Sequence, residues 1–328
     1  MVFAFAPAKV ILFGEHFVVE DRLAIAAALD LKVIVKASFN DTNYIKIQTA
    51  SQNIASLNIK ISIDNLISGK FDYANNFFSP LFLILYNFSK SYPIKYGIDF
   101  LIESNIPIGV GLGSSAATFV AFSAALLKLF NYKFNLNDIV NLASQGESLA
   151  HGKPSGIDPT ISTFGRIIVY RRSQGFHSLE EEFSKPIIIG ISNVTRSTAE
   201  MVNKVLNLKK KHPYILDLLY ETNDRIVNEA IDAIKSKNFI KLGDLMNIAH
   251  GLLSSIGVSN FHIENMIYAA RNAGAYGAKI TGAGGGGAII ALCDENNIED
   301  VSNAILSVGG KVIHSKISNS GVEVYEDE

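Results

Sequence analysis

The sequence predicts a two-domain α+β protein with largely antiparallel sheets. Three observations carry that reading. The chain has 328 residues, about two domains' worth at roughly 150 residues each. Strand-like and helix-like stretches are mixed in both halves. A polar, acidic, turn-rich segment at 173–185 interrupts the pattern, which then restarts. The domains are therefore placed at 1–180 and 181–328.

The elements follow in order. Short β-branched and aromatic runs punctuated by Asn, Asp and Gly predict strands at 9–13, 32–38, 44–48 and 57–63. A helix is expected over 77–89, and the alternation across 96–103 predicts a half-buried strand. Two helices follow at 114–130 and 136–150, the second with Asn135 as its cap. Beyond the break come a strand at 186–191, several helices between 198 and 273, and strands at 278–281 and 288–292. A helix at 298–308 and a strand at 311–316 close the pattern.

Composition excludes several function classes. Hydrophobic residues make up 48% and charged residues 18%, so a full core can be buried and global disorder is excluded. Lys plus Arg number 29 against 31 Asp plus Glu, a net charge of -2. That balance gives no long-range attraction for nucleic acid or an anionic membrane. The one basic run, Lys209-Lys210-Lys211, reads as a solvated helix end. The longest apolar stretch, 116–127, is shorter than the ~20 residues a bilayer span needs. A single cysteine, Cys293, cannot form an internal disulfide and sits in an apolar strand, as a buried thiol would. A cytoplasmic protein is expected, acting on a small molecule, and a homodimer is compatible with this reading.

Chemistry is carried by three glycine-bearing motifs. Pro107-Ile108-Gly109-Val110-Gly111-Leu112-Gly113-Ser114-Ser115 lies between a predicted strand and a strong helix. Glycines admit a ligand close to the backbone, and a helix start presents unpaired N–H groups suited to phosphate. The motif lacks the Gly-Lys-Ser/Thr of a Walker loop and the spacing of a dinucleotide fingerprint. Without a lysine of its own, such a loop needs a metal and distant side chains to neutralise a triphosphate. Glu147 shares a helix face with Ile139, Ala143 and Ala150, where a carboxylate is costly unless a cation meets it. With the Ser115 hydroxyl it is a candidate Mg²⁺ ligand.

The second motif, His151-Gly152-Lys153-Pro154-Ser155-Gly156-Ile157-Asp158, is a rigid loop that would hold Asp158 in place. The third, Lys279-Ile280-Thr281-Gly282-Ala283-Gly284-Gly285-Gly286-Gly287, costs conformational entropy and is expected to pack closely on the phosphate loop.

Together these segments resemble the GHMP family of small-molecule kinases, named for galactokinase, homoserine kinase, mevalonate kinase and phosphomevalonate kinase. The run from Pro7 to Val19, containing Gly14-Glu15-His16-Phe17-Val18-Val19, is most similar to the mevalonate kinase branch; galactokinases carry Thr-Asp-Tyr after the histidine. The resemblance covers essentially the whole chain. It implies a two-domain GHMP fold, with an N-terminal domain like domain 2 of ribosomal protein S5 and a ferredoxin-like C-terminal domain. It also implies ATP and Mg²⁺ as cofactors and mevalonate as substrate, phosphorylated on its 5-hydroxyl. Carried over by position, Asp158 and Lys9 would be catalytic. Pro107, Gly109, Gly111, Leu112, Gly113, Ser114 and Ser115 would wrap the ATP phosphates. Ser115 and Glu147 would hold Mg²⁺, while Glu15, His16, Arg196 and Thr198 would contact the substrate. Another kinase of the family, acting on a sugar or homoserine, and a non-catalytic ligand sensor are the competing readings.

Overall fold

The computed structural model describes residues 1–51, 57–71, 77–151, 155–194 and 197–327. The chain opens with β1 (Val2–Phe13), β2 (Ala24–Asn40), β3 (Tyr44–Ser51), β4 (Asn58–Ser62) and the short helix α1 (Ile63–Ile67). Then come α2 (Ser79–Ser91), β5 (Gly97–Ser104), α3 (Ser114–Leu129), α4 (Leu136–His151), α5 (Ile157–Phe164), β6 (Ile167–Arg171) and β7 (Gly175–Leu179). The second half holds β8 (Ile187–Ile191), α6 (Thr198–Lys211), α7 (Pro213–Lys235), α8 (Phe239–Ser255) and α9 (Phe261–Asn272). It ends with β9 (Ala275–Thr281), β10 (Ala288–Cys293), α10 (Ile298–Ser307), β11 (Lys311–Ser315) and β12 (Glu323–Glu326).

One sheet has the order β12-β1-β2-β5-β3-β4, with β6 also on β2 and β7 on β6. Its pairings are antiparallel except for β3 with β5. The other sheet, β11-β8-β10-β9, is antiparallel throughout. The first four residues of β1 alternate between buried and half-buried positions, and the remaining eight are buried on both faces. The alanines at 24 and 26–28 of β2, all buried, give α5 and α3 a flat surface to approach. Helix α3 is apolar nearly all round, as a helix enclosed by neighbours must be. Strands β8 and β10 are buried at every position. A single core cluster runs from Val10 and Phe122 into Ile189, Val227, Met246 and Ile290, so the two halves share one apolar interior.

The expected strands and helices are present, with ends shifted by a few residues except where β1 and β2 run on by seven or eight. Five elements have no counterpart in the sequence pattern: α1, α5, β6, β7 and β12. Strand β7 lies inside the polar break at 173–185 because it is a narrow hairpin arm on β6, buried only at its end. The charged β12 returns from the far end of the chain to pair with β1, Val2 opposite Glu326. Ala150 is exposed, so the apolar face of α4 ends at Glu147 rather than continuing one turn further. Lys209, in the last turn of α6, is not merely solvated: its Nζ donates to Glu20 Oε2 at 2.9 Å. Cys293 is buried at the end of β10, and burial pushes its thiol up to about 11.

Helix α8 lies directly on β9, backbone against backbone. A Cβ at Gly277 would overlap the Gly243 carbonyl oxygen, leaving no side chain to yield. Gly277→Ala should therefore lower the unfolding free energy by about 1–3 kcal/mol or more. Urea denaturation checks this, with Gly309→Ala unsuitable as a control because its φ of 88° adds backbone strain and Gly251→Ala suitable because its Cβ meets open space.

Candidate active site

The turn between β5 and α3 places three glycines in the left-handed region: Gly109 at φ 77°, Gly111 at 89° and Gly113 at 74°. Left-handed residues at alternate positions are the backbone pattern of a nest, which suits anions. Gly113 is the N-cap of α3 and has no side chain with which to cap the helix itself. The loop is seated on Lys9. The Lys9 N–H donates to the Leu112 carbonyl at 2.9 Å, and a Cβ on Gly113 would stand 2.7 Å from Lys9 Cγ. Leu112 is buried and pins the turn, while a Cβ on Gly109 would meet nothing within 4 Å. Ser114 and Ser115 open α3, and the Ser114 carbonyl accepts from Thr118 Oγ1 at 2.8 Å.

Lys9 reaches this place through a register shift in β1 between Pro7 and Lys9. Its Nζ lies 3.0 Å from Asp158 Oδ2. Asp158 is the second residue of α5, whose N-cap, Gly156, has φ 88°. The Ser155 carbonyl accepts from Tyr170 Oη at 2.6 Å, and a Cβ on Gly156 would meet that oxygen at 2.8 Å. Glu147 joins them from α4, which packs on Ile84 and Phe119 through Gly146. Glu147 is 4% exposed. Burial first, and then the Asp158 charge, push its carboxyl up to about 8, against the opposing pull of Lys9. The cluster thus brings two acids and one base together near the start of α3. Among the described residues, no group of three or more His, Cys, Asp or Glu is disposed to hold a metal. Any divalent ion would rest on a lone carboxylate and a hydroxyl, completed by a ligand's own oxygens, as Mg²⁺ commonly does.

The remaining predicted residues divide. The Glu15 Oε1 accepts from Lys279 Nζ in a fully interior pair, with side-chain exposures of 1% and 0%. Burial raises the Glu15 carboxyl and lowers the Lys279 ammonium from their ordinary values. His16 takes φ 63°, unusual for a non-glycine residue, and its Nε2 lies 2.9 Å from the Ala283 carbonyl. Thr198 is exposed at the start of α6, one residue past the N-cap Ser197. Arg196 lies outside the described residues, as do Gly152, Lys153 and Pro154 of the second motif.

The third glycine motif departs from expectation. The tight neighbours of Gly284, Gly285 and Gly286 are Val258, Met201 and Val194, not the phosphate loop. Instead, the strand leading into it grips β1: Thr281 Oγ1 both accepts from Ile11 N and donates to Ile11 O, each at 3.1 Å. Lys279 and Thr281 went unassigned in the sequence, where the available signal was a lysine inside an otherwise apolar strand. The segment after His16 is held by α6 and α7. Asp224 accepts from Leu23 N at 2.9 Å and from Arg171 at 2.7 Å, and Tyr220 meets Phe17 edge-on at 5.2 Å.

Family models for the GHMP kinases N terminal domain and the GHMP kinases C terminal region match residues 80–166 and 230–311. Over 329 residues, the chain is 39% identical to a mevalonate kinase of Thermococcus sibiricus, covering 98% of each. The chain belongs to the GHMP kinase family. This GHMP kinase also superimposes on the crystal structure of the Methanococcus jannaschii mevalonate kinase, with a TM-score of 0.86 at 26% identity, over 97% of this chain and 98% of that one. The L. major mevalonate kinase in complex with R-mevalonate gives 0.81 at 28%, over 97% and 96%. The fold is accordingly the two-domain GHMP kinase fold, and no described helix of this GHMP kinase is long and apolar enough to cross a membrane.

The raised Glu147 carboxyl carries a stability prediction. Its folded value lies above its ordinary value of 4.5, so the native state holds a proton that the unfolded chain releases between pH 4.5 and about 8. Stability from this group is full below pH 4.5 and is lost as pH rises through about 8. In thermal melts without divalent cations, Glu147→Gln should outlast the parent protein by a margin that widens across that window. A margin that does not change with pH contradicts the assignment.

Proposed function

We propose that this GHMP kinase transfers the γ-phosphoryl group of ATP to the 5-hydroxyl of mevalonate, giving 5-phosphomevalonate. The observation that carries the site reading is the convergence of Lys9, Asp158 and Glu147 on the glycine turn at the start of α3. The substrate reading draws on the mevalonate kinases it is similar to over nearly its whole length. Division of the chain near residue 180, between β7 and β8, belongs to the same proposal, with β12 counted in the first unit.

In this reading the backbone from Gly109 to Ser115 cradles the phosphates, and Asp158 faces the acceptor hydroxyl with Lys9 against it. Glu147 and Ser115 are an all-oxygen donor pair fitting Mg²⁺, and a cation beside the buried Glu147 carboxyl would favour its ionised form. When bound, the ion would neutralise phosphate charge. His16 and Thr198 border the acceptor, with Arg196 proposed from the resemblance alone; Glu15 contributes from the interior.

Magnitudes limit what Asp158 does. A carboxylate is a far weaker base than an alkoxide, and a proton transfer that far uphill would consume the entire barrier of about 16 kcal/mol for a turnover of about 10 per second. Full deprotonation before transfer is therefore excluded. The acceptor proton moves to Asp158 late, as the new bond forms, and Lys9 stabilises the charge that develops. Most of the rate comes from alignment and electrostatics.

Asp158→Asn should retain ATP binding by calorimetry while losing turnover by about 10²–10⁴-fold or more; near-normal turnover would refute the role. Glu147→Gln should need a higher Mg²⁺ concentration for half-maximal rate, and an unchanged metal titration would return Glu147 to a packing role. ADP release with mevalonate, galactose, homoserine and phosphomevalonate tests the substrate directly. Mevalonate alone should support turnover, and a preference for any other acceptor overturns that part of the proposal.

A further inference from the structure

Strand β9 presents every second residue to the end of β1. Lys279 meets Glu15, Thr281 meets Ile11, and the Ala283 carbonyl just beyond meets His16. Thr281 supplies backbone bonding where β1 shifts register between Ile11 and Phe13. Lys279 has no such simple purpose. Its ammonium is wholly buried within a strand that also carries Ala278 and Ile280, where an apolar side chain of similar volume would avoid the desolvation cost of an ion pair.

The pair is also unevenly satisfied. Lys279 Nζ donates to Glu15 Oε1 and to the Ile280 carbonyl at 2.6 Å, both on fixed backbone or interior groups. Glu15 Oε2 is buried with no hydrogen-bond partner among the described residues. A carboxylate oxygen left in that condition is expensive, and a donor arriving with a ligand would remove the cost. Glu15 cannot swing away to find another partner, because the next residue, His16, is tied to Ala283. Glu15 lies just beyond β1, the strand that carries Lys9, and the Lys9 charge acts on Glu15 as well as on Asp158.

We infer that Lys279 is a positioning residue for the acceptor: it holds Glu15 across the junction between the two halves so that Oε2 accepts a hydrogen bond from a hydroxyl of the bound alcohol. This rests on the reading of the cleft as a phosphoryl-transfer site. It extends that reading by assigning the lysine of the third glycine motif to the acceptor rather than to the nucleotide.

The test compares Lys279→Met, Glu15→Met and the doubly apolar variant by steady-state kinetics and thermal melting. The acceptor is whichever alcohol supports turnover in the parent enzyme, so a panel that excludes mevalonate overturns the substrate and leaves this test intact. Loss of a hydrogen bond to a charged group should raise the acceptor KM by about tenfold to a hundredfold in all three. The nucleotide KM should stay within about twofold, since uniform binding of only one substrate is lost. The double variant should melt close to the parent, because no buried charge is left unpaired. If it regains the parent's acceptor KM, or if both KM values rise together, the pair is a structural tie and the inference fails. Should Lys279→Met not fold, the double variant alone decides by the same readings.

Discussion

One ammonium held among two carboxyl groups, the second of them buried, is the constraint on which the rest of this structure depends. Lys9 touches Asp158 and pulls against the effect of that carboxylate on Glu147, whose carboxyl nonetheless stays raised. Such a cluster is unfavourable unless something positive lies alongside, and the opening turn of α3 presents uncapped N–H groups there. The glycine spacing follows from the same crowding. Gly113 has no Cβ because Lys9 occupies that space, and Leu112 is buried because its carbonyl accepts from the backbone beneath. Motif, lysine and helix are thus one assembly.

The second half of the chain enters this assembly at the end of β1. Its β9 strand closes on β1 through a buried ion pair, a threonine that mimics a strand partner, and a carbonyl bound to His16. Helices α6 and α7 hold the following turn through Lys209, Tyr220 and Asp224. The segment that carries Glu15 and His16 is therefore fastened on two sides, at the cost of an unusual backbone conformation at His16. The four-glycine run serves this fastening by letting Val194, Met201 and Val258 come close to its backbone.

Much of this was legible in the residues. Apolar periodicity located α3 and α4, and alternating glycines before Ser114 marked the turn, because local geometry alone demands them. Glu147 stood out as a carboxylate on an apolar face. What escaped notice depends on contacts distant in sequence. Strand β12 is charged and unremarkable until it meets β1 more than 300 residues away. Lys279 and Glu15 are separated by 264 positions, and neither has a local reason to be buried. The expected packing of the third motif on the phosphate loop failed for the same reason: four glycines announce a close approach but not to what.

The most direct test of the central constraint is the titration of the Glu147 side chain itself, followed by carbon-13 NMR of labelled carboxyl groups with Glu147→Gln to assign the resonance. Without divalent cations its midpoint should lie near pH 8 and fall when Mg²⁺ and a nucleotide are added together. A midpoint close to 4.5, unmoved by either addition, would mean that the cleft is wet, the charges do not interact, and the account is wrong.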